Sequence, residues 1–281
     1  MRSVLLLAVL AACGSDETEG PRSKTFGGDR PADLRTPETL TDGKQYPLVM
    51  VLHGFGASGF IQAAYFGATA LPTADEALVI APDGIVNSGG MQFWNADPAC
   101  CDLENQRPDD VAYLGTMLDD IIATWPVDPA RVFVIGHSNG GFMAYRMACE
   151  RADIIVGIMA LAGLASTTPA SCTPDEPVSV LHIHGTADAT VPYAANTVGA
   201  EPSVAQWAQH NGCSGIARTA GAMLDLDNAV AGAETRASAT DGCPETGAVD
   251  LWTLEGSGHL PSLTAAFTPA VMDWLLAHPR S

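Results

Sequence analysis

Short, almost purely apolar runs recur along the chain and alternate with segments of helical periodicity. Residues 47–52, for example, read Pro-Leu-Val-Met-Val-Leu and stop at a His-Gly pair. A continuous apolar run of this length, closed by Gly or Pro, is typical of a strand buried on both faces of a sheet. The same pattern predicts further strands at residues 78–81, 131–135, 154–160, 178–183 and 248–254.

The segments between these strands carry apolar residues at helical spacing. Residues 110–125 place Val111, Leu114 and Leu118 on one face, and either Asp109 or Asp110 can cap the helix. Strands and helices that alternate in this way predict an α/β fold, with a mostly parallel central sheet and helices on both faces. The other predicted helices cover residues 140–151, 202–210 and 263–277.

Length and composition agree with one folded unit after a short leader. The chain has 281 residues, of which 47% are hydrophobic, so it can fill a large core and is not disordered throughout. No internal repeat, linker or change of composition divides the chain after its leader. We therefore predict a single domain over residues 25–281.

The leader is predicted to direct export. A positively charged start precedes an apolar run at residues 4–10, which is shorter than the roughly 20 residues that span a bilayer. The run ends in Leu10-Ala-Ala-Cys13, which resembles the lipobox of bacterial lipoprotein signals. This predicts a signal peptide over residues 1–12, a lipid on Cys13, and a flexible acidic tether over residues 13–24. The alternative is an ordinary secretory signal whose cleavage site contains a cysteine.

The charge balance excludes some classes of partner. The chain carries 13 Lys and Arg against 32 Asp and Glu, a formal net charge of −19. Neutralising nucleic-acid phosphates requires clustered basic residues, so no nucleic-acid partner is expected. An anionic lipid surface would repel the chain too, which leaves the lipid on Cys13 as the predicted membrane attachment.

Export implies an oxidising compartment, in which cysteines form disulfides. Six cysteines follow the leader, and the even number favours pairing, although six cysteines allow 15 connectivities. Our best prediction joins Cys213 to Cys243, which bracket a polar segment rich in Gly and Ala. No cysteines have the Cys-x-x-Cys spacing of a zinc site, so no metal is expected. Cys149 is left with three alternatives: Cys172 or one of the adjacent Cys100 and Cys101.

The sharpest functional motif lies directly after the predicted strand at residues 131–135. Gly136-His-Ser-Asn-Gly140 is a Gly-x-Ser-x-Gly sequence between a strand and a helix, the context of a nucleophile elbow. Glycines are needed there because the turn is tight and the neighbouring backbone leaves no room for a Cβ atom. The turn presents Ser138 at the edge of the sheet, and the helix N-terminus beneath it favours developing negative charge. Ser138 is therefore the predicted nucleophile.

A serine hydroxyl is a weak nucleophile and needs a histidine base that a carboxylate orients. After a strand–elbow–helix motif, the acid follows the nucleophile in the chain and the histidine comes last. Asp188 stands just past the predicted strand at residues 178–183 and is the predicted acid. Asp175, Asp225 and Asp227 are weaker candidates because none follows a buried strand in this way.

Among the seven histidines, His259 is the predicted base. It lies in the glycine-rich loop Glu255-Gly-Ser-Gly-His-Leu-Pro261, which follows the last predicted strand and can present a general base to the nucleophile. His182 and His184 share one face of a strand and resemble a metal pair. Because no third ligand stands at a suitable spacing, we interpret them as structural.

The negative charge that develops on an attacked carbonyl needs two backbone N–H donors. One is expected from Asn139, the residue after the nucleophile, and the other from the loop after an early strand. That loop is His53-Gly-Phe-Gly56, in which Phe55 is the predicted second donor and Gly54 the alternative.

Several stretches of the chain together match the pattern of one family. They are Leu52-His-Gly-Phe-Gly56, Trp94-Asn95 with Cys100-Cys101, Asp109-Asp-Val111, Gly136-His-Ser-Asn-Gly-Gly141, Tyr145-Arg-Met-Ala-Cys-Glu150, His182-Ile-His-Gly-Thr-Ala-Asp188, residues 207–213, and residues 256–259. In this combination the chain resembles the α/β-hydrolase esterases grouped with polyhydroxybutyrate depolymerases and feruloyl esterases, from about residue 30 to the C-terminus. The resemblance implies an α/β-hydrolase fold and hydrolysis of carboxylic esters.

Two features depart from that family pattern. Members often carry Thr-Trp-Pro after the catalytic histidine, whereas Leu260-Pro-Ser262 follows His259 here, so the expected aromatic residue is missing. Tannases and some fungal feruloyl esterases place a cysteine beside both the serine and the histidine, where this chain has His137 and Gly258. Trp94 and His137 are the candidate substrate contacts; the alternative for Trp94 is an ordinary position in the core.

These predictions combine into an exported serine ester hydrolase that acts through an acyl-enzyme and requires no cofactor. Its expected substrate is a small ester, a hydroxycinnamoyl ester or a polyester oligomer. One alternative is a prolyl oligopeptidase-type peptidase, although the chain is too short for a propeller domain as well. Another is a surface-tethered binding lipoprotein that has lost activity. The sequence does not distinguish substrates because loops build the walls of such sites.

Overall fold

The computed structural model describes residues 23–194 and 198–280. The predicted signal peptide, Cys13 and all but the last two residues of the predicted tether lie outside this part of the chain. The strands are β1 (Thr25–Phe26), β2 (Ala32–Asp33), β3 (Tyr46–Leu52), β4 (Leu78–Ile80), β5 (Ile85–Val86), β6 (Gln92–Phe93), β7 (Val127–His137), β8 (Gly157–Leu161), β9 (Ser179–Gly185), β10 (Arg218–Leu224), β11 (Thr235–Thr240) and β12 (Val249–Leu254).

The helices are α1 (Gly59–Tyr65), α2 (Leu71–Ala74), α3 (Asp110–Thr124), α4 (Asn139–Glu150), α5 (Ala200–His210) and α6 (Phe267–Leu276). Five of these described helices lie between strands in the sequence, and α6 follows the last strand. Asp109, one of the two predicted alternatives, caps α3 by accepting a hydrogen bond from the Ala112 N–H. Among the described residues, no helix combines the length and the apolar character needed to cross a membrane.

Eight of the strands form one sheet in the order β10-β11-β12-β9-β8-β7-β3-β4. The six strands from β12 to β4 are parallel to one another, whereas β10 and β11 add to the sheet antiparallel. The prediction of a mostly parallel central sheet is therefore confirmed. In a parallel sheet the carboxyl ends of the strands share one edge, so the loops after β3, β7, β9 and β12 meet there.

The core lies on both faces of this sheet. Alternate residues of β3 point to opposite faces: Leu48 and Met50 pack with residues of α3, α4 and α5, whereas Val49 and Val51 pack with residues of α1 and α6. Every residue of β3 is buried, which explains why the strand reads as a continuous apolar run rather than an alternating one.

Some predicted boundaries differ from the structure. The strand predicted at 154–160 begins only at Gly157, because the N–H groups of Ile154 and Ile155 both bond to the Arg151 carbonyl in a turn. The strand predicted at 131–135 is longer and covers Val127–His137. Helix α1 was not predicted.

The hairpin of β10 and β11 was also not predicted. Most residues of β10 are exposed and small or polar, so the strand lacks the apolar pattern that marks the buried strands. A shift of register between Ala220 and Met223 interrupts its pairing with β11. At the opposite edge, Arg35 forms an antiparallel bridge with Val79, which covers β4.

Three disulfides join the six described cysteines. Cys213 bonds to Cys243 and closes the base of the β10–β11 hairpin, as predicted. Cys149 bonds to Cys172, one of its three predicted alternatives. The adjacent Cys100 and Cys101 bond to each other, which excludes the other two.

Candidate active site

Ser138 lies at the turn between β7 and α4, at the carboxyl edge of the sheet. Its backbone has φ 52° and ψ −121°, a conformation that non-glycine residues rarely adopt and that recurs at functional sites. A Cβ atom at Gly136 would lie 2.1 Å from the Gly140 carbonyl oxygen, and one at Gly140 would lie 2.1 Å from the Leu52 oxygen. Gly136 is therefore required by the tightness of the turn itself, and Gly140 by the packing of the turn against β3.

A chain of hydrogen bonds connects Ser138, His259 and Asp188. The Ser138 Oγ lies 2.9 Å from His259 Nε2, and His259 Nδ1 lies 2.7 Å from Asp188 Oδ2. An ionised carboxylate only accepts, so Nδ1 carries the hydrogen and leaves Nε2 free to accept the serine proton. The structure thus brings together the three residues predicted as nucleophile, base and acid, in the geometry of activated serines.

Asp188 is held by donors on both of its oxygens. Its Oδ1 accepts hydrogen bonds from the N–H groups of Thr190 (2.8 Å) and Val191 (2.9 Å). Burial alone would raise the pKa of Asp188, but hydrogen bonds from His184, His259 and these two N–H groups outweigh burial and hold the pKa well below its usual value. The carboxylate therefore stays ionised.

The loops that carry the acid and the base are packed against each other. A Cβ atom at Gly185 would lie 2.3 Å from the Ser257 oxygen, so only glycine allows this contact. The Ala187 N–H also donates to the Ser257 oxygen, at 2.9 Å. Asp227, a weaker candidate acid, instead accepts the N–H groups of Ala229 and Ser262 and shapes a turn.

His137, predicted as a substrate contact, has a different place. Its Nε2 lies 2.8 Å from the carbonyl oxygen of His259, and only 6% of the residue is exposed. Burial lowers the pKa of His137 to about 4, so the ring is neutral and donates its Nε2–H to that carbonyl. The prediction is corrected: His137 holds the backbone of His259 rather than facing a substrate.

Tyr65, which the sequence did not single out, holds the same loop from α1. Its hydroxyl donates to the Pro261 carbonyl at 2.7 Å. The two residues are 196 positions apart, and no local pattern marks such a contact.

The N–H groups of the loop after β3 are almost all engaged. The Gly54 N–H donates to Gln62 Oε1 (3.2 Å), and the Gly56 N–H donates to the Gln92 oxygen (2.8 Å). The backbone N–H groups of Phe55 and Asn139 have no hydrogen-bond partner among the described residues. Of the two predicted alternatives, Phe55 rather than Gly54 therefore has an N–H free to bind an oxyanion.

Trp94, the other predicted substrate contact, is fully buried. Its indole N–H donates to the His53 carbonyl at 3.0 Å, and its backbone N–H donates to the side-chain oxygen of Asn139 at 2.7 Å. The prediction of an aromatic substrate wall is wrong for Trp94, because the ring supports the loop after β3 from inside the core.

Large apolar side chains are exposed near this edge of the sheet. Phe60 and Ile61 open α1, directly after the loop that carries Phe55, and Leu260 follows His259; all three are exposed. Met91 packs against Gly56, where its Cε would lie 2.2 Å from an added Cβ atom. In the described part of the chain, no group of three or more His, Cys, Asp or Glu side chains is arranged to hold a metal ion.

The sequence profile of the phospholipase/carboxylesterase family matches residues 40–212. The chain belongs to this family. Its match covers the Phe55 loop, the Ser138 elbow and Asp188, and it makes the chain an esterase-type α/β hydrolase.

Individual relatives carry esterase names. The chain is 30% identical to the provisionally named esterase NocK of Nocardia uniformis subsp. tsuyamanensis, over 83% of this chain and 70% of that one. It is 30% identical to feruloyl esterase B of Piromyces equi, over 65% of this chain but only 35% of that one. Feruloyl esterase D of Neurospora crassa is 26% identical, over 84% of this chain and 76% of its own.

Solved esterase structures share the fold. An acetyl xylan esterase from Aspergillus awamori superposes with a TM-score of 0.67 at 14% identity, covering 92% of this chain and 98% of its own. A Bacillus cereus carboxylesterase gives a TM-score of 0.52 at 16% identity, covering 87% of this chain and 92% of its own. The fold is therefore that of the α/β hydrolases, as predicted.

Proposed function

We propose that the protein hydrolyses carboxylic esters through an acyl-enzyme on Ser138, with His259 as general base and Asp188 as the acid that orients it. The observation that carries the proposal is the continuous hydrogen-bonded chain from Ser138 Oγ through His259 to Asp188. The free N–H groups of Phe55 and Asn139 are the proposed oxyanion hole.

In the first step Ser138 Oγ attacks the ester carbonyl and its proton passes to His259 Nε2. Asp188, ionised and hydrogen-bonded to Nδ1, stabilises the imidazolium that forms. The N–H groups of Phe55 and Asn139 stabilise the negative charge on the tetrahedral oxygen. Collapse of this intermediate expels the alcohol, which takes the proton from His259.

In the second step water attacks the acyl-enzyme carbonyl. His259, neutral again, takes a proton from that water and returns it to Ser138 Oγ as the acid is released. Every proton thus moves through one imidazole, so the protein's own groups suffice and no cofactor is part of the proposal.

The substrate class is proposed from the surroundings of the site and from its relatives. The exposed Phe60, Ile61 and Leu260 favour an ester with an apolar acyl or alcohol part. Relatives named feruloyl esterases support a hydroxycinnamoyl ester. A small ester and a polyester oligomer remain the other arms of the test.

We also propose that the protein is exported. The leader sequence predicts a signal peptide over residues 1–12, lipid attachment at Cys13 and a tether over residues 13–24, ahead of a catalytic domain over residues 25–281. The three disulfides support an oxidising compartment. Labelling with a radioactive fatty acid, lost in Cys13→Ser, separates a lipoprotein from a secreted protein.

The decisive experiment uses purified protein without residues 1–13 and a series of substrates. It compares p-nitrophenyl esters from acetate to octanoate, methyl ferulate and a 3-hydroxybutyrate oligomer, each with Ser138→Ala as control. Turnover that disappears in the control supports the proposal, and the best substrate identifies the class. A higher rate on matched peptide amides than on esters would favour a peptidase. Folded protein that turns over nothing and is not labelled by a fluorophosphonate would leave a binding protein.

A further inference from the structure

Three buried side chains form a second hydrogen-bonded chain behind the proposed catalytic acid. Tyr145 lies on α4, and His182 and His184 lie on the same face of β9; none is more than 2% exposed. The Tyr145 hydroxyl lies 2.7 Å from His182 Nδ1, and His182 Nε2 lies 3.1 Å from His184 Nδ1. No step of the proposed reaction uses these residues.

The far end of this hydrogen-bonded chain, at His184, contacts the loop that holds Asp188. His184 Nε2 lies 2.8 Å from the Val191 carbonyl oxygen and 3.3 Å from Asp188 Oδ2. The Val191 N–H in turn donates to Asp188 Oδ1 at 2.9 Å. His184 is therefore tied to the carboxylate twice, once directly and once through the backbone of Val191.

The carbonyl of Val191 fixes the position of every hydrogen in the chain. A carbonyl oxygen only accepts, so His184 Nε2 carries a hydrogen and, in the neutral ring, Nδ1 accepts. His182 Nε2 must then donate to His184, which leaves His182 Nδ1 to accept the Tyr145 hydroxyl. Each donor thus points towards Asp188, and each bond polarises the next.

We propose that Tyr145, His182 and His184 are positioning residues that fix the orientation and charge of Asp188 for catalysis. The inference rests on the proposed function, because Asp188 matters only as the partner of His259. His184 shares Asp188 Oδ2 with His259 and draws electron density from it. Without that donor the carboxylate would bind the imidazolium of His259 more strongly and make it a weaker acid.

The charge states of the hydrogen-bonded residues, and the groups that surround them, agree with this assignment. Burial holds the pKa of His182 well below its usual value and raises the pKa of Tyr145, so both groups are neutral. Tyr193 packs edge-on against His184, with ring centres 5.7 Å apart, and its hydroxyl bonds to Thr253 of β12 and to Glu201 of α5. Beyond Asp188 stand His259 and His137.

The first test reads the hydrogens directly, without relying on turnover. The full chain, labelled with ¹⁵N at histidine, is examined by long-range ¹H–¹⁵N NMR at about pH 8. From the hydrogen-bond geometry, both His182 and His184 are expected to carry a hydrogen on Nε2 and none on Nδ1. A Tyr145→Phe variant identifies His182, whose Nδ1 loses its donor and shifts. A doubly protonated His184, or a hydrogen on Nδ1 of either ring, would overturn the proposal.

The second test separates positioning from simple support of the fold. Tyr145→Phe removes one hydroxyl from the chain, and Tyr113→Phe is its matched control, because the Tyr113 hydroxyl is also bonded, to the Arg30 oxygen, away from the site. Tyr145→Phe is expected to lower kcat roughly three- to tenfold with KM unchanged. The acid limb of its kcat/KM profile is expected to move to higher pH, because the imidazolium of His259 holds its proton more tightly.

The control variant is expected to keep the wild-type kcat and pH profile. If Tyr145→Phe lowers only the melting temperature and leaves kcat and the profile unchanged, the chain is structural and the proposal fails. If the wild-type protein hydrolyses no ester, the proposed function fails instead, while the NMR measurement still decides the hydrogen order.

Discussion

The nucleophile elbow and the β10–β11 hairpin belong to the same sheet but differ in the space that surrounding atoms leave for a side chain at their glycines. At the elbow, a Cβ atom on Gly136 or Gly140 would approach a carbonyl oxygen to 2.1 Å. In the hairpin, the nearest atom to a Cβ on Gly221 is 3.5 Å away, which is an ordinary van der Waals contact. Packing therefore requires glycine at the two elbow positions, whereas it leaves room for a side chain at Gly221 in the hairpin. Matched substitutions in the two regions test this difference.

The largest contrast is expected between two serines. Ser138→Ala removes the proposed nucleophile and should lower kcat/KM for the best ester by about 10⁴-fold or more. Ser238→Ala, in β11, should leave kcat/KM unchanged because β11 lies four strand positions away from β7, the strand that leads into Ser138. Steady-state kinetics on both purified variants measure the contrast, and comparable losses in the two would contradict it.

Two aspartates provide the next contrast. Asp188→Asn keeps the shape of the side chain but loses the charge that stabilises the His259 imidazolium, so kcat should fall by about 10³- to 10⁴-fold. Asp241→Asn, whose carboxylate accepts the Thr219 hydroxyl beside the hairpin, should change kcat less than twofold. An active Asp188→Asn variant with normal folding would show that another group orients His259.

A third comparison, between two glycine substitutions, concerns the free energy of unfolding rather than turnover. Gly140→Ala should destabilise the fold by about 3 kcal/mol, because its methyl group would overlap the Leu52 carbonyl. Gly221→Ala should change the free energy of unfolding by less than about 1 kcal/mol, since its methyl group has room. Urea titrations followed by circular dichroism give both values, and a stable Gly140→Ala variant would refute the packing argument.

Acid should weaken the elbow region and spare the hairpin, which contains no histidine between Cys213 and Cys243. The pKa of His137 is lowered from 6.5 to about 4 by burial, so the unfolded chain binds a proton there before the folded chain does. The stability due to neutral His137 is present above about pH 6.5 and is lost as the pH falls towards 4, by at most about 3 kcal/mol.

This loss is measured as the free energy of unfolding at several pH values. His137→Asn should reduce the slope between about pH 6.5 and 4 and leave the part due to His53 and His182, whose pKa values burial also lowers. An unchanged slope in His137→Asn would mean that His137 contributes nothing to it.

The sequence predicted the parts of the site that depend on chain order and strand ends. Ser138, Asp188 and His259 each follow a buried strand, and the parallel sheet brings such positions to one edge. It did not predict the contacts of Tyr65, and it left open whether Trp94 lines the site or lies in the core. These depend on side chains that meet across long separations in the chain, such as the 196 residues between Tyr65 and Pro261.

The hairpin was missed for the opposite reason. Buried parallel strands must be apolar throughout, and this is what made β3 and β9 recognisable. Strand β10 lies at an exposed edge, where alanine, glycine and threonine suffice, so its sequence resembles a loop. Only the flanking Cys213 and Cys243 marked the segment as a closed unit.

The two edge strands of the sheet, β4 and β10, affect how the protein self-associates at high concentration. An open strand margin is a template on which a second molecule can add its own strand and start a precipitate. Strand β4 is only three residues long, and Arg35 already forms a backbone bridge with it. The pairing of β10 is interrupted between Ala220 and Met223, and this strand also carries Arg218, which forms an ion pair with Glu201. Neither margin offers a straight, vacant row of backbone groups, so the folded protein should resist β-type self-association.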